Sequence, residues 1–385
     1  MKTLRSYRWI GILLIIAACK QSYEPPAIKA PNRFLVIEGA INASAGARTT
    51  ILLSRTRNLA DTFLTDPEKG ARVQIESSAG NVFTLTEQPA GTYTSVPLSL
   101  NASQSYRLKI TTSDNKEYVS ELVQVKQTPA IDSVTWKQTT EPGLAKDVTI
   151  YANTHDASNN TRYYRWDYTE TWQYRAVYET DLGWDVPNGL IFYYTPADQR
   201  YNCWYTEQGN NIAIASSVKL ANDVIDHAPV TVIPHNSAKI GVRYSILVRQ
   251  YALTQDAYKY WEILQKNTQK LGTLFDAQPS QLRGNFRSTS SANEPVIGYA
   301  SVSTVQEKRL FITRQEVADW QGGVAQTDCP ERFTFQNPTN YLILNFSDTT
   351  FGPWYFTSDG RVILTKKTCL DCTRRGGSNQ RPSFW

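Results

Sequence analysis

Between Arg162 and Glu179 the chain alternates with a period of two. Its even positions hold Tyr164, Trp166, Tyr168, Glu170, Trp172, Tyr174 and Tyr178, while the odd positions are mostly polar. Side chains two apart on a strand share a face, so the pattern predicts a long or bent β-ribbon with its rings on one side. A fold that contains it must either bury that aromatic face or expose it as a platform. Large rings readily fill the space between two sheets, which is the plainer use. As a platform, Trp166, Trp172 and Tyr174, joined by Trp204 and Tyr205, would offer flat surfaces to a carbohydrate, a peptide or a partner protein.

The rest of the chain agrees with a mainly β fold. It holds 22 Tyr, 13 Phe and 10 Trp against a single Met, a strand-forming composition. Short β-rich runs at 34–41, 49–54, 72–76, 82–86, 91–95, 105–111 and 118–125 are separated mostly by turn residues such as Ser78-Ala79-Gly80-Asn81. Their number and spacing predict an immunoglobulin-like β-sandwich over 33–128. Gln127-Thr128-Pro129 marks a boundary, since proline cannot donate to a ladder. A larger β-rich domain follows over 129–385, with a cysteine-containing C-terminal segment. Only one substantial helix is expected there, over about 254–271: Thr254 as N-cap, Tyr258, Trp261, Leu264 and Leu271 at helical spacing, and Gly272 as C-cap.

Lys2, Arg5 and Arg8 precede an apolar run from Ile10 to Ala18 and then Cys19. This is the order of a secretory signal, and the run is too short to span a bilayer. Ile16-Ala17-Ala18-Cys19 is similar to a bacterial lipobox, so residues 1–18 are expected to be a lipoprotein signal peptide and Cys19 the lipidated residue. Pro25, Pro26 and Pro31 make 19–32 an extended tether. Loss of the three basic residues lowers the formal charge from +5 to about +2, which argues against a nucleic-acid partner.

Four further cysteines, Cys203, Cys329, Cys369 and Cys372, are an even number in an exported chain, which predicts disulfides of open connectivity. Cys369-Leu370-Asp371-Cys372 also has the spacing of half a zinc site or a redox pair. No second such pair exists, His155, His227 and His235 lie far away in sequence, and no βαβ context surrounds it. No metal or other cofactor is expected.

Familiar catalytic spacings are missing, among them HExxH, GxSxG and the glycine-rich phosphate loops. His155-Asp156 and Asp226-His227 read as surface pairs, because neighbours on a strand point to opposite faces. A glycosidase needs two carboxylates across a cleft. Of Asp167, Glu170, Glu179 and Asp181 only Glu170 shares the aromatic face. Binding is therefore expected rather than catalysis, with a glycan- or peptide-acting hydrolase and a structural or adhesion protein as the competing classes.

Several separated segments carry a family resemblance. The runs 243–251 and 258–261, Gln278-Pro279-Ser280, Gly284-Asn285, Val296-Ile297-Gly298-Tyr299, the Cys369–Cys372 motif, Gly376-Gly377 and the closing Arg381-Pro382-Ser383-Phe384-Trp385 occur in one order. Together they resemble the Bacteroidetes lipoprotein family called domain of unknown function 4249. The resemblance implies an outer-membrane lipoprotein that accompanies a TonB-dependent receptor in nutrient capture or uptake. It supplies no catalytic residues.

Overall fold

The computed structural model describes residues 33–57, 66–141, 144–185, 190–269, 284–291, 293–323, 329–333 and 350–385. Cys19, the tether, Leu271, Gly272 and the strand read at 341–346 lie outside them. The chain is mainly β. In order its elements are β1 (Leu35–Gly39), β2 (Ile41–Asn42), β3 (Thr50–Arg55), β4 (Arg72–Ser77), β5 (Val82–Glu87), β6 (Thr92–Thr94), β7 (Ser105–Thr111), β8 (Glu117–Ser120) and β9 (Val123–Gln124). Next come β10 (Ile131–Gln138), β11 (Val148–Asp156), β12 (Tyr163–Arg175), β13 (Leu182–Asp185), β14 (Leu190–Tyr193), β15 (Asn202–Gln208), β16 (Ala213–Ser216), β17 (Asp223–Ile233) and β18 (Arg243–Ala252). Helix α1 (Gln255–Gln269) is followed by β19 (Phe286–Ser288), β20 (Val296–Gly298), β21 (Val302–Ser303), β22 (Val305–Thr313), β23 (Arg332–Phe333), β24 (Phe351–Phe356), β25 (Val362–Lys366) and the short helix α2 (Lys367–Leu370).

The first sheet runs β19-β8-β7-β4-β5-β6-β3-β1-β20. Alternation places Leu35, Ile37, Ile51 and Leu53 from one half, and Val73, Ile75, Leu108 and Ile110 from the other, in a single core. The span 33–128 does not complete this sheet, because the chain returns to it after α1. There β19 pairs with β8 and β20 lies parallel to β1, while β21 lies parallel to β2 in a separate two-stranded sheet. Asn285 clips the return by accepting from the Ala300 amide at 2.8 Å and donating to its carbonyl at 2.9 Å. Gly298 sits at φ +151° where a β-carbon would meet the Ile37 carbonyl at 2.5 Å, so only glycine lets β20 close on β1. The segments Gly284-Asn285 and Val296–Gly298 are therefore the seam between the two halves of the chain.

The second core belongs to a nearly closed barrel. One sheet runs β15-β12-β18-β22, with β16 also on β12, and the other runs β10-β11-β17. β10 lies beside β22 and β16 beside β17, which brings the sheets round to enclose Tyr164, Trp166, Tyr168, Tyr244, Ile246 and Val248. Thr254 caps α1 by accepting from the Ala257 amide at 3.2 Å, and Ala257 and Tyr260 face inward. No described helix is long and apolar enough to cross a membrane. A further small sheet, β23-β25-β24, is tied to the barrel through the C-terminal cysteines.

Candidate functional site

The predicted platform does not survive as one surface. Trp166 is 1% exposed inside the barrel, and its indole N–H donates to Gln250 Oε1 at 2.9 Å, so it is core and presents nothing to a ligand. Tyr174 is buried beneath the C-terminal segment, where its hydroxyl donates to the Cys372 carbonyl at 2.9 Å and accepts from the Gly377 amide at 2.9 Å. Trp204 stands opposite Gln173 in the β12–β15 ladder and so belongs to the other face, beside Trp385. Only Trp172 and Tyr205 meet. They are cross-strand partners, half-buried, with ring centroids 4.9 Å apart.

The cysteines form two bridges, Cys203–Cys372 and Cys329–Cys369, with Cα separations of 5.8 and 6.0 Å. The two cysteines of the CxxC segment thus bond to different partners, which removes the zinc and redox readings of that spacing. His155 turns to Asp132 on the neighbouring strand, 2.8 Å away, rather than to Asp156. Asp226 and His227 do touch, at 2.6 Å, contrary to the strand rule. His227 adopts φ +53° where β17 is irregular, and this turns its ring back towards its neighbour.

The concave site forms where the barrel fails to close. β16 covers β12 over Tyr163–Trp166 and β15 covers the same edge over Thr169–Arg175. The link between them must pass Tyr168, and Gly209 makes that possible. A β-carbon there would lie 2.2 Å from Tyr168 Cζ. The Tyr168 hydroxyl donates to Asn211 Oδ1 and accepts from the Thr231 hydroxyl at 2.9 Å, bracing the link against β17. Beside this brace a groove of about 560 Å³ opens, lined by Glu170, Glu207, Asn210, Thr231, Lys239 and Gln265 among others.

Glu170 and Glu207 face each other in register across the β12–β15 pair. The 3-10 turn Ala238–Ile240 inserts Lys239 between them, 2.6 Å from Glu170 Oε2 and 2.5 Å from Glu207 Oε1. Burial works against the lysine's charge, but its bonds to the two glutamates outweigh this and hold its pKa above the ordinary lysine value. Tyr244 donates to the other Glu170 oxygen at 2.6 Å; burial first, and then the Glu170 charge, keep that phenol protonated. The Lys239 ammonium also lies 5.1 Å from the Trp172 ring centroid, linking the groove to the Trp172–Tyr205 pair. Of this set, sequence reasoning singled out Glu170 but not Glu207 or Lys239. The alternation Cys203, Tyr205, Glu207 would have put Glu207 on a shared face, yet no local pattern marks Lys239.

Hydrolysis needs the gap between the carboxylates for water or a scissile bond. Here an ammonium holds it. Polar groups converge here on a preformed concavity, beside two partly exposed rings, a geometry that suits ligand binding.

Among solved structures the chain is similar to the Yersinia pseudotuberculosis adhesin InvE at 16% identity, covering 57% of this chain and 55% of that one, with a TM-score of 0.15. No curated protein matches it. The model of the family described as Domain of unknown function (DUF4249) matches residues 20–309, well over half of the sequence, and the chain belongs to that family.

Proposed function

We propose that this protein is a non-catalytic binding subunit of a bacterial outer membrane, anchored by lipid on Cys19, which captures a ligand for a TonB-dependent receptor. The observation that carries the binding reading is the open barrel seam. Its wall groups Glu207 and Asn210 are not consumed by the fold: Glu207 bonds only Lys239, and the Asn210 side chain makes no hydrogen bond among the described residues. The lipobox-like Ile16–Cys19 segment and the basic, apolar leader before it support the anchor.

The test is purification of the native protein from outer membranes in mild detergent, with mass spectrometry of what travels with it. A stoichiometric TonB-dependent receptor is the expected result. Isolation of the protein alone, under conditions that keep other envelope complexes intact, would overturn the receptor partnership. Labelling by radioactive palmitate that disappears in Cys19→Ala tests the anchor separately.

A further inference from the structure

We infer that the groove at the barrel seam takes a neutral oligosaccharide; this rests on the binding reading above and names its ligand class. Charge decides first. Two carboxylates and one ammonium meet at the floor, and both signs are present within one contact distance. The three groups sum to −1, so an anionic ligand is repelled, while a cationic one must displace Lys239 from the two glutamates before it can pair with them; a neutral ligand avoids both costs.

Hydrogen-bonding capacity decides next. Ligand sites of about 300–1,000 Å³ are commonly lined by apolar side chains. This groove lies within that range but is walled largely by carboxamides, hydroxyls and carboxylates. Gln265 uses its amino group on the Ile212 carbonyl at 2.7 Å, which leaves its own carbonyl oxygen as an acceptor without a partner among the described residues. With the Asn210 amide and the second Glu207 oxygen, the wall presents donors and acceptors side by side. A polyhydroxylated ligand, whose hydroxyls donate and accept at adjacent carbons, satisfies such a wall, whereas an apolar peptide would leave it unpaired.

The rings add direction. Trp172 and Tyr205 follow Glu170 and Glu207 on the same face of the ladder. A linear sugar chain leaving the groove past Lys239 reaches this pair, which suits the apolar faces of pyranose rings.

The experiment is calorimetric titration of the detergent-purified lipoprotein with maltohexaose, cellohexaose, xylohexaose and mannohexaose, using hexalysine and a galacturonic-acid hexamer as charged counterparts. Saturable binding of at least one neutral hexaose is expected. Asn210→Ala should weaken it by about tenfold at an unchanged melting temperature, and Glu207→Gln by about as much with a modest fall in melting temperature, since it removes one of the two carboxylates on Lys239. Asn210→Ala guards against misfolding, because that side chain makes no hydrogen bond among the described residues. Failure of all four neutral sugars to bind overturns the proposal, as does binding indifferent to both substitutions. A charged probe whose binding the substitutions abolish would sink the sugar yet keep the groove a binding site, and co-purification bears on the receptor alone.

Discussion

Gly209 lies so close to the ring of Tyr168 that a β-carbon added to it would stand 2.2 Å from Cζ. The ring cannot simply yield. It is 3% exposed, and its hydroxyl is committed to Asn211 and Thr231. Gly209→Ala should therefore destabilise the fold by about 1–3 kcal/mol, the cost of overpacking. It should also weaken ligand binding, since the link it strains forms one lip of the groove. Urea unfolding measures the first effect. An unchanged midpoint would show that the 209–212 link moves freely away from the barrel.

Trp166 and Trp172 stand on one face of one strand and should respond very differently to truncation. Trp166→Ala empties the barrel interior and strands Gln250 Oε1, so it should cost about 3–5 kcal/mol. Trp172→Ala removes a half-buried ring, its contact with Tyr205 and the approach of Lys239, and should cost only about 1–2 kcal/mol. Equal losses in chemical denaturation would contradict the division into core and rim.

Lys239 sits where the sheet would otherwise hold two like charges together. Lys239→Met leaves Glu170, 3% exposed, with Tyr244 alone, and should cost about 3 kcal/mol, the lower end for breaking a buried pair because the lysine is partly solvated. The pH dependence has a definite sign. A folded-state pKa raised above the ordinary value of about 10.4 means that the lysine's contribution is complete below that pH and is lost as pH rises through the folded value. Tyr244, also held protonated by the fold, adds a loss of the same sign. Stability measured from neutral to strongly alkaline pH should thus fall in the parent, less steeply in Tyr244→Phe, and least in a variant lacking both groups. A decline that begins below neutral pH would not come from this network.

What sequence conveyed here was periodicity, and what it withheld was register. Alternation alone predicted the ribbon at 162–179, and the same parity explains why Trp166 falls into a core once a second sheet covers that face. Trp204 turns away from the other rings because its side is set by pairing with Gln173 on β12, about 30 residues earlier in the chain, and no local pattern records that pairing. Glu207 and Lys239 escaped for the same reason: they reach Glu170 from β15 and from a 3-10 turn. The return of 286–303 to the N-terminal strands was equally hidden. Two of its three strand pairings are parallel, and parallel partners are joined by long crossovers rather than by a readable turn. His227 shows the converse failure, where one residue at positive φ cancels an alternation that the sequence displays.

The disulfides give the last prediction. Peptide mapping without reduction should recover Cys203 linked to Cys372 and Cys329 linked to Cys369, and a Cys369–Cys372 loop would contradict the structure. The first bridge closes a separation of 169 residues, so its loss frees far more chain in the unfolded state than loss of the second, which closes 40. Replacing Cys203 and Cys372 with Ser should cost about 2–5 kcal/mol. It should also release Tyr174, whose hydroxyl is anchored on the Cys372 carbonyl and the Gly377 amide. The groove should tolerate the change better than the melting temperature does. Glu170 is carried by β12, which is paired on its other edge with β18, and Lys239 comes from a turn packed on that same strand. Retained ligand binding at a lowered melting temperature is therefore the expected outcome. Loss of binding in a variant still folded at the assay temperature would mean that the C-terminal staple itself holds the groove open.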